Sequence, residues 1–397
     1  MKIAITCPAS LPATPFGGIL IIAVNLAKNF NNLGHDVTIY TSNLNFENKK
    51  MIFDKKLPRV DNSNGFTIKR SNVILKIFTY FVNPGLYFQL KNDKPDIIHV
   101  IGIRSFQAFI AALISKIEKI PMIATDYGGL TTHPEIESGS LIKKFLYKLQ
   151  SPMIKYIMNQ SKMIIAANEY ELKDFSNIVK TNKIKIIRNG IDFESLQSPK
   201  FNFKNKNQIN ERILLFVGRF DYVKGIDILI EGFSKICLEK EFLDVKLVIM
   251  GSDFGFKNKM IDLITDKGIS NRIKIIENPH RDEVISAYHD AEFLVLPSRW
   301  ELSPLTPLEG FACKKTVISC NIAGIPNVIK NEKNGLLIES ENSEELTKSI
   351  RKLLKNKDFC KNLSIQGFKE TKEELNSEFM VKQFLETYTE VINRFKK

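Results

Sequence analysis

Phe293-Leu294-Val295-Leu296-Pro297-Ser298-Arg299-Trp300-Glu301-Leu302-Ser303-Pro304-Leu305-Thr306-Pro307-Leu308-Glu309 reads as a buried strand, a turn and the opening of a helix. The unbroken apolar run from Phe293 marks a strand covered on both faces, and Pro297 ends it because proline cannot donate to the ladder. Pro307 suits the first turn of a helix. Glu301 therefore hangs in the loop above the strand's carboxyl end, and Glu309 sits in the first helical turn. In open α/β sheets that loop is where ligands bind. A second segment, Gly218-Arg219-Phe220-Asp221-Tyr222-Val223-Lys224-Gly225, repeats the pattern after the apolar run Ile213–Val217. Two cations and two carboxylates at neighbouring strand ends suit an anionic ligand that also carries hydroxyls, such as a nucleotide sugar.

Working outward, short β-branched runs alternate with longer helical periods, the signature of parallel sheets with crossover helices. Strands are expected at Ile3–Thr6, Val37–Tyr40, Ile97–Val100, Met122–Thr125, Met163–Ala166 and Ile184–Ile187. The alternation restarts at Ile213–Val217, Lys246–Met250, Ile273–Ile276, Phe293–Leu296 and Thr316–Cys320. Ile19–Leu33 reads as a helix stopped by Gly34. A chain of 397 residues is long enough for two domains. The polar stretch after Ser198 marks the boundary. We expect one domain over 1–195, a linker over 196–210, a second domain over 211–375, and a last helix over 376–397 that packs back toward the first.

Composition narrows the class. Hydrophobic content of 44% with 10% aromatics supports two packed cores and argues against wholesale disorder. Five scattered cysteines with no C-x-x-C pair point to reduced thiols rather than a disulfide frame or structural zinc. No apolar run approaches the roughly 18–20 residues that span a bilayer, and Met1–Pro8 reads as a strand and turn rather than a signal peptide. A cytoplasmic protein is expected. Residues 1–195 hold 25 basic and 15 acidic side chains, the remainder 32 and 29. A basic first half suits anionic lipid or an acidic substrate, or merely solvates the surface; no recognition motif for nucleic acid accompanies it. Ile74–Phe81 and Leu141–Leu149 read as helices combining apolar and basic faces, suited to a membrane interface or to covering their own core.

Arg219 and Lys224 flank a turn that ends in Gly225, where a helix opens. Helix amino termini present free N–H groups and partial positive charge, and so favour phosphate; arginine adds a bidentate fork and lysine a point charge. Thr306-Pro307-Leu308-Glu309 also fits a capping box, which would give Glu309 a purely local task. Gly17-Gly18 precede the first helix and let a ligand approach the backbone closely. Several chemistries lack their residues: there is no D-x-D, no H-E-x-x-H, no G-x-S-x-G, no G-x-x-x-x-G-K-[ST] and no G-x-G-x-x-G after the first strand.

Taken in order, Gly17-Gly18, Gly34-His35-Asp36-Val37, Asp96-Ile97-Ile98-His99, Asn189-Gly190-Ile191-Asp192, Gly218-Arg219 with Lys224, Glu301 with Glu309, and Gly335-Leu336-Leu337 resemble the retaining family 4 glycosyltransferases. The resemblance implies the GT-B fold, an α/β class with two Rossmann-like domains facing a central cleft. It implies that Arg219 and Lys224 hold a donor diphosphate, that Glu309 bonds the donor ribose, and that amides near Leu305 and Thr306 meet the distal phosphate. Glu301 would contact hydroxyls of the transferred hexose, and Gly17 and Gly18 would close over the phosphates from the other domain. No metal and no cofactor is implied beyond a UDP- or GDP-type sugar as co-substrate. The acceptor would be a glycan or lipid-linked saccharide, reached by a protein cytoplasmic or peripheral at the inner membrane face. Tyr127 stands where the family commonly has a histidine near the reacting sugar, beside Asp126. Tyr127, Asp126 and Glu301 are thus the catalytic candidates. Tyr127, and Ser303-Pro304 in place of a frequent F-G pair, motivate one alternative: a catalytically idle nucleotide-sugar-binding subunit.

Overall fold

The apolar runs do form strands, and they assemble into two separate mainly parallel sheets, each within its own compact unit. Met1–Arg188 with Ser377–Lys397 form the first unit and Asn189–Asn376 the second. The structure, a computed structural model, describes every residue except 48, 49, 135, 137–140 and 397.

In the first unit the strands are Lys2–Thr6 (β1), Asp36–Ser42 (β2), Val60–Asp61 (β3), Thr67–Ser71 (β4), Ile97–Ile101 (β5), Met122–Thr125 (β6), Met163–Ala166 (β7) and Ile184–Ile186 (β8). They lie in the order β8-β7-β6-β5-β1-β2-β4-β3, parallel throughout except for β3 against β4. The β5 and β6 side chains are all buried, as sheets covered by helices on both faces require. The helix Gly18–Asn32 buries Leu20, Ala23, Leu26, Ala27 and Phe30 along one stripe. It stops at Gly34, whose φ of +81° is the left-handed conformation that glycine tolerates.

The second unit continues with Arg212–Val217 (β9), Val245–Gly251 (β10), Ile273–Glu277 (β11), Ala291–Leu296 (β12), Thr316–Cys320 (β13) and Leu336–Ile338 (β14), in the order β11-β10-β9-β12-β13-β14. All neighbours are parallel. This puts the loops after β9 and β12 side by side at one end of the sheet.

Two sequence expectations are corrected. Residues 196–210 are not a linker but belong to the second unit. Leu196 and Phe203 are fully buried in its core, Asn202 caps the short helix Phe203–Asn207, and the Lys204 amide donates to Asp290 at 2.9 Å. Together with Ile209, three apolar anchors dock an otherwise polar stretch. Residues 74–81 form an antiparallel pair, Leu75–Ile77 against Tyr80–Val82, rather than a helix. Phe78 takes a left-handed turn (φ 53°), and alternating β-branched and aromatic residues favour the pleat.

The last helix, Ser377–Lys396, completes the first unit. The Tyr388 hydroxyl lies 2.7 Å from His99 Nδ1, and its ring stacks against Phe30 at 5.3 Å. Thr125 Oγ1 donates to the Val100 carbonyl (3.2 Å) and sits 3.3 Å from His99 Nε2. The threonine proton being committed, Nε2–H donates to it and Nδ1 accepts from Tyr388, so the imidazole is neutral. Burial lowers its pKa to about 3. Unfolded histidine titrates near 6.5, so between pH 6.5 and 3 the unfolded state binds the additional proton and stability falls as pH falls. From pH 6.5 to 4.5 this residue should cost about 2–3 kcal/mol. Urea unfolding of wild type and His99→Gln at both pH values checks it: the variant should lose less by that amount, and equal losses would contradict the assignment.

Candidate active site

The loop after β9 is shaped to meet the loop after β12. Asp221 accepts the Val223 amide at 3.0 Å and starts a single turn, Tyr222–Lys224, which ends at Gly225 in a left-handed conformation (φ +65°). A Cβ at Gly225 would lie 2.0 Å from the Pro297 carbonyl oxygen, so only glycine permits this approach. The contact delivers Lys224 to Glu301, and the two form an ion pair with side chains 17% and 20% exposed. Ser298 Oγ donates to Glu301 Oε1 at 3.4 Å, and the Glu301 carbonyl accepts the Gly324 amide at 2.9 Å. Lys224, Ser298, Glu301, Pro304, Thr306 and Ser319 line a small pocket at this sheet end. Thr306 begins the helix Thr306–Ala312, with Leu305 at its cap; first-turn amides of such a helix have no partner within it.

Arg299, not among the residues expected at the site, ties this region together. Its guanidinium donates to both Asp227 oxygens (2.8 and 2.9 Å), to the Tyr222 carbonyl (2.7 Å) and to Glu341, and it stacks 3.9 Å from the Tyr222 ring centroid. Burial opposes its charge, but Asp227 and Glu341 outweigh that and hold its pKa above the usual arginine range.

Glu309 is placed differently from Glu301. Tyr288 donates its hydroxyl to Glu309 Oε2 at 2.7 Å, and Arg281 pairs with Oε1 at 2.8 Å. The capping-box task is not taken up, since the carboxylate faces the helix Arg281–Asp290 rather than its own cap. Burial, then the Glu309 charge, push the Tyr288 phenol well above its ordinary pKa. Arg219 is exposed and stands 5.0 Å over the Phe254 ring. Neither Arg219 nor Glu309 lines the pocket that Lys224 and Glu301 share. Ser303 has a definite partner: Asn189 Nδ2 donates to its hydroxyl at 2.9 Å, which binds the segment entering the second unit to the Glu301 loop.

In the first unit, Gly17 (φ +114°) leads into the helix from Gly18, and among the described residues nothing lies within 4 Å of a Cβ built on either. Asp126 is buried. Its Oδ1 accepts the Ile103 amide and Oδ2 the Gly128 amide, both at 3.1 Å; burial raises its pKa, against the pull of Arg104. Tyr127 takes a left-handed backbone (φ 58°), and its hydroxyl is buried without a hydrogen-bond partner among the described residues. The Tyr127 and Ala167 amides donate to Glu171 at 3.3 and 2.6 Å, and burial raises that carboxyl to about 8. Asn168-x-x-Glu171 is a capping-box spacing, and Asn168 does accept the Glu171 amide at 3.0 Å. That pattern was the signal by which Glu171 could have been found. Arg281 and Tyr288 carry no such local signal. Among the described residues no group of three or more His, Cys, Asp or Glu could hold a metal ion.

Residues 16–195 match the sequence family Glycosyltransferase Family 4, and residues 197–370 match Glycosyl transferases group 1. An uncharacterised glycosyltransferase of Methanocaldococcus jannaschii is 28% identical over 355 residues, 88% of this chain and 88% of its own. N-acetyl-alpha-D-glucosaminyl L-malate synthase of Bacillus anthracis is 24% identical over 99% of this chain and 97% of that one. Among solved structures, sucrose-phosphate synthase of Thermosynechococcus elongatus superposes with a TM-score of 0.79 at 19% identity over 99% of both chains. HepE of Anabaena, solved with UDP, gives 0.78 at 17% identity over 98% of this chain and 100% of that one. With both of its sequence families matched in order and two sheets of the corresponding topology, the chain belongs to the family 4 glycosyltransferases and has the GT-B fold of two Rossmann-like domains.

Proposed function

We propose that the second unit binds a nucleotide-diphosphate sugar of UDP or GDP type, and that its hexosyl group passes, with retained configuration and no metal, to a glycan or lipid-linked saccharide bound by the first. The observation that carries this reading is the Lys224–Glu301 pair, largely buried at the carboxyl end of the second sheet beside the Thr306 helix. Lysine supplies positive charge for a diphosphate, and the carboxylate accepts from sugar hydroxyls. Arg219, exposed on its Phe254 platform, is free to swing to the phosphates, and the Leu305 and Thr306 amides offer a phosphate site. Glu309, held by Arg281 and Tyr288, presents an ordered carboxylate for the ribose. HepE has been solved with UDP and with UDP-glucose, which supports a nucleotide-sugar donor.

In the reaction the bond between anomeric carbon and diphosphate oxygen breaks and the acceptor oxygen bonds to that carbon on the same face. The acceptor proton passes to a diphosphate oxygen. Asp126, both oxygens committed to backbone amides, holds the Tyr127 loop rather than exchanging a proton. The glycosyltransferase relatives favour an enzyme over an idle binding subunit.

Part of the first unit suits an anionic membrane surface, so we place the protein peripherally, at an inner membrane face. Leu141, Ile142, Phe145 and Leu149 are 84%, 68%, 65% and 65% exposed along one helix that also carries exposed Lys144 and Lys148. No helix among the described residues is long and apolar enough to cross a membrane.

Three outcomes are expected. Calorimetry in the presence of a chelator should detect UDP or GDP uptake, and Lys224→Ala should weaken it by about ten- to a hundredfold, the worth of one charge-assisted bond; no uptake of either nucleotide would sink the reading. Glu309→Ala should lower transfer and also destabilise the fold by about 1–3 kcal/mol, because the buried Tyr288 hydroxyl loses its acceptor; an unchanged urea midpoint would show that loss to be compensated. Vesicles containing phosphatidylglycerol should carry the protein upward in flotation, and Phe145→Ser with Lys144→Glu should abolish this. Equal recovery with neutral vesicles would remove the anionic surface from the account.

A further inference from the structure

We infer that Arg299 is a positioning residue of the donor site, acting on donor binding through the Lys224–Glu301 pair without touching the donor itself. The inference rests on the donor reading above. Arginine has five N–H donors, and here all five are assigned: Nε to Glu341, the two of Nη1 to the Tyr222 carbonyl and Asp227 Oδ1, and the two of Nη2 to Asp227 Oδ2 and Glu341 Oε2. None is left for a phosphate, and the side chain is only 11% exposed. What the guanidinium does hold is three loops at one end of the sheet.

Tyr222 lies two residues before Lys224 and Asp227 three after it, so the guanidinium grips the lysine loop from either side. A third grip is the Arg299 amide, which donates to the Val223 carbonyl at 2.8 Å. Glu301 lies two residues after Arg299 on the other loop. Glu341, beyond β14, is reached across the end of β13, and its own backbone is left-handed (φ 64°). That conformation is disfavoured for glutamate and is retained where the surroundings fix the side chain. The arginine thus sets how far Lys224 stands from Glu301. Without it, Asp227 and Glu341 lose the cation that balances them, and the loop that carries Lys224 loses its side-chain ties to the loop that carries Glu301. A lysine at 299 has three donors and no fork, so it restores charge but not the three-loop geometry.

The test is a double-mutant cycle on the full chain, read by calorimetric UDP and GDP affinity, with the melting temperature followed in parallel. Arg299→Gln should weaken nucleotide binding about tenfold and Arg299→Lys by an intermediate amount. In a Lys224→Ala background, Arg299→Gln should change affinity less than twofold, although its effect on melting temperature persists. A merely structural arginine would weaken binding equally in both backgrounds, and that result, or unchanged affinity in Arg299→Gln alone, overturns the inference. If Arg299→Gln does not fold, Asp227→Asn, which removes one arm of the fork, takes its place in the cycle with the same expectations. Should Lys224→Ala itself leave affinity unchanged, the donor-site reading fails and takes the inference with it. Weakening by Lys224→Ala but not by Arg299→Gln fails the inference alone.

Discussion

The approach of Gly225 to the Pro297 carbonyl is the constraint from which the site follows. Strands β9 and β12 are neighbours, so their loops leave the sheet side by side, but ordinary side chains would hold them apart. With no Cβ at Gly225, whose place would fall 2.0 Å from the Pro297 oxygen, the two backbones touch. Lys224, the residue just before, is then carried onto Glu301, four residues beyond the proline. A bond to the Val223 carbonyl and the guanidinium fork of Arg299 lock what the glycine allows. Backbone sterics provide the permission and electrostatics the precision of placement.

The same economy explains why two glutamates eight residues apart end in different surroundings. Glu301 is in a loop whose direction is set by its neighbours, and it turns toward the lysine. Glu309 is on a helix that packs tightly against β12: a Cβ on Gly310 would lie 2.9 Å from Leu294. That packing fixes which way the Glu309 face points, and it points to Tyr288 and Arg281 on the preceding helix, Arg281–Asp290. One acid is paired with a lysine at a pocket, the other is built into a hydrogen-bonded frame. A ligand can displace the first partnership more readily than the second, because the Tyr288 hydroxyl is buried and has no water to turn to.

How much of this could be read from the residues depends on whether the signal is local. The strands of both sheets were legible because parallel strands buried on both faces are continuous apolar runs; Met122–Thr125, Met163–Ala166 and Thr316–Cys320 were delimited to the residue. Thr67–Ser71 was missed because Lys69 and Arg70 interrupt its pattern. Arg70 is nonetheless buried, bonded to Asp61 and to the Leu11 and Pro58 carbonyls. Leu336–Ile338, three residues long, was not anticipated as a strand. In the site, Lys224 and Glu301 were legible from turn chemistry and strand ends. The partners of Arg299 were not, since Asp227 and Glu341 lie 72 and 42 residues away and no sequence period joins them. The Arg281–Glu309 pair is hidden for the same reason.

The first unit shows how a long-range bond can decide the state of a buried group. β5 carries His99 into the sheet interior, where an imidazolium would be far from water. The chain meets this not by removing the histidine but by bringing back a helix from its far end. Tyr388 donates to Nδ1, and Nε2–H finds Thr125, whose own proton goes to the Val100 carbonyl. Every proton in that series is assigned, so the neutral ring is satisfied, whereas a charged one would set Nδ1–H against the Tyr388 O–H. Phe384 packs on the imidazole and Phe30 on the Tyr388 ring. The unit is therefore not finished when Arg188 is reached: its central strand acquires a full set of hydrogen bonds only when the last helix docks. Both ends of the chain are committed to one sheet, with the second unit inserted between them.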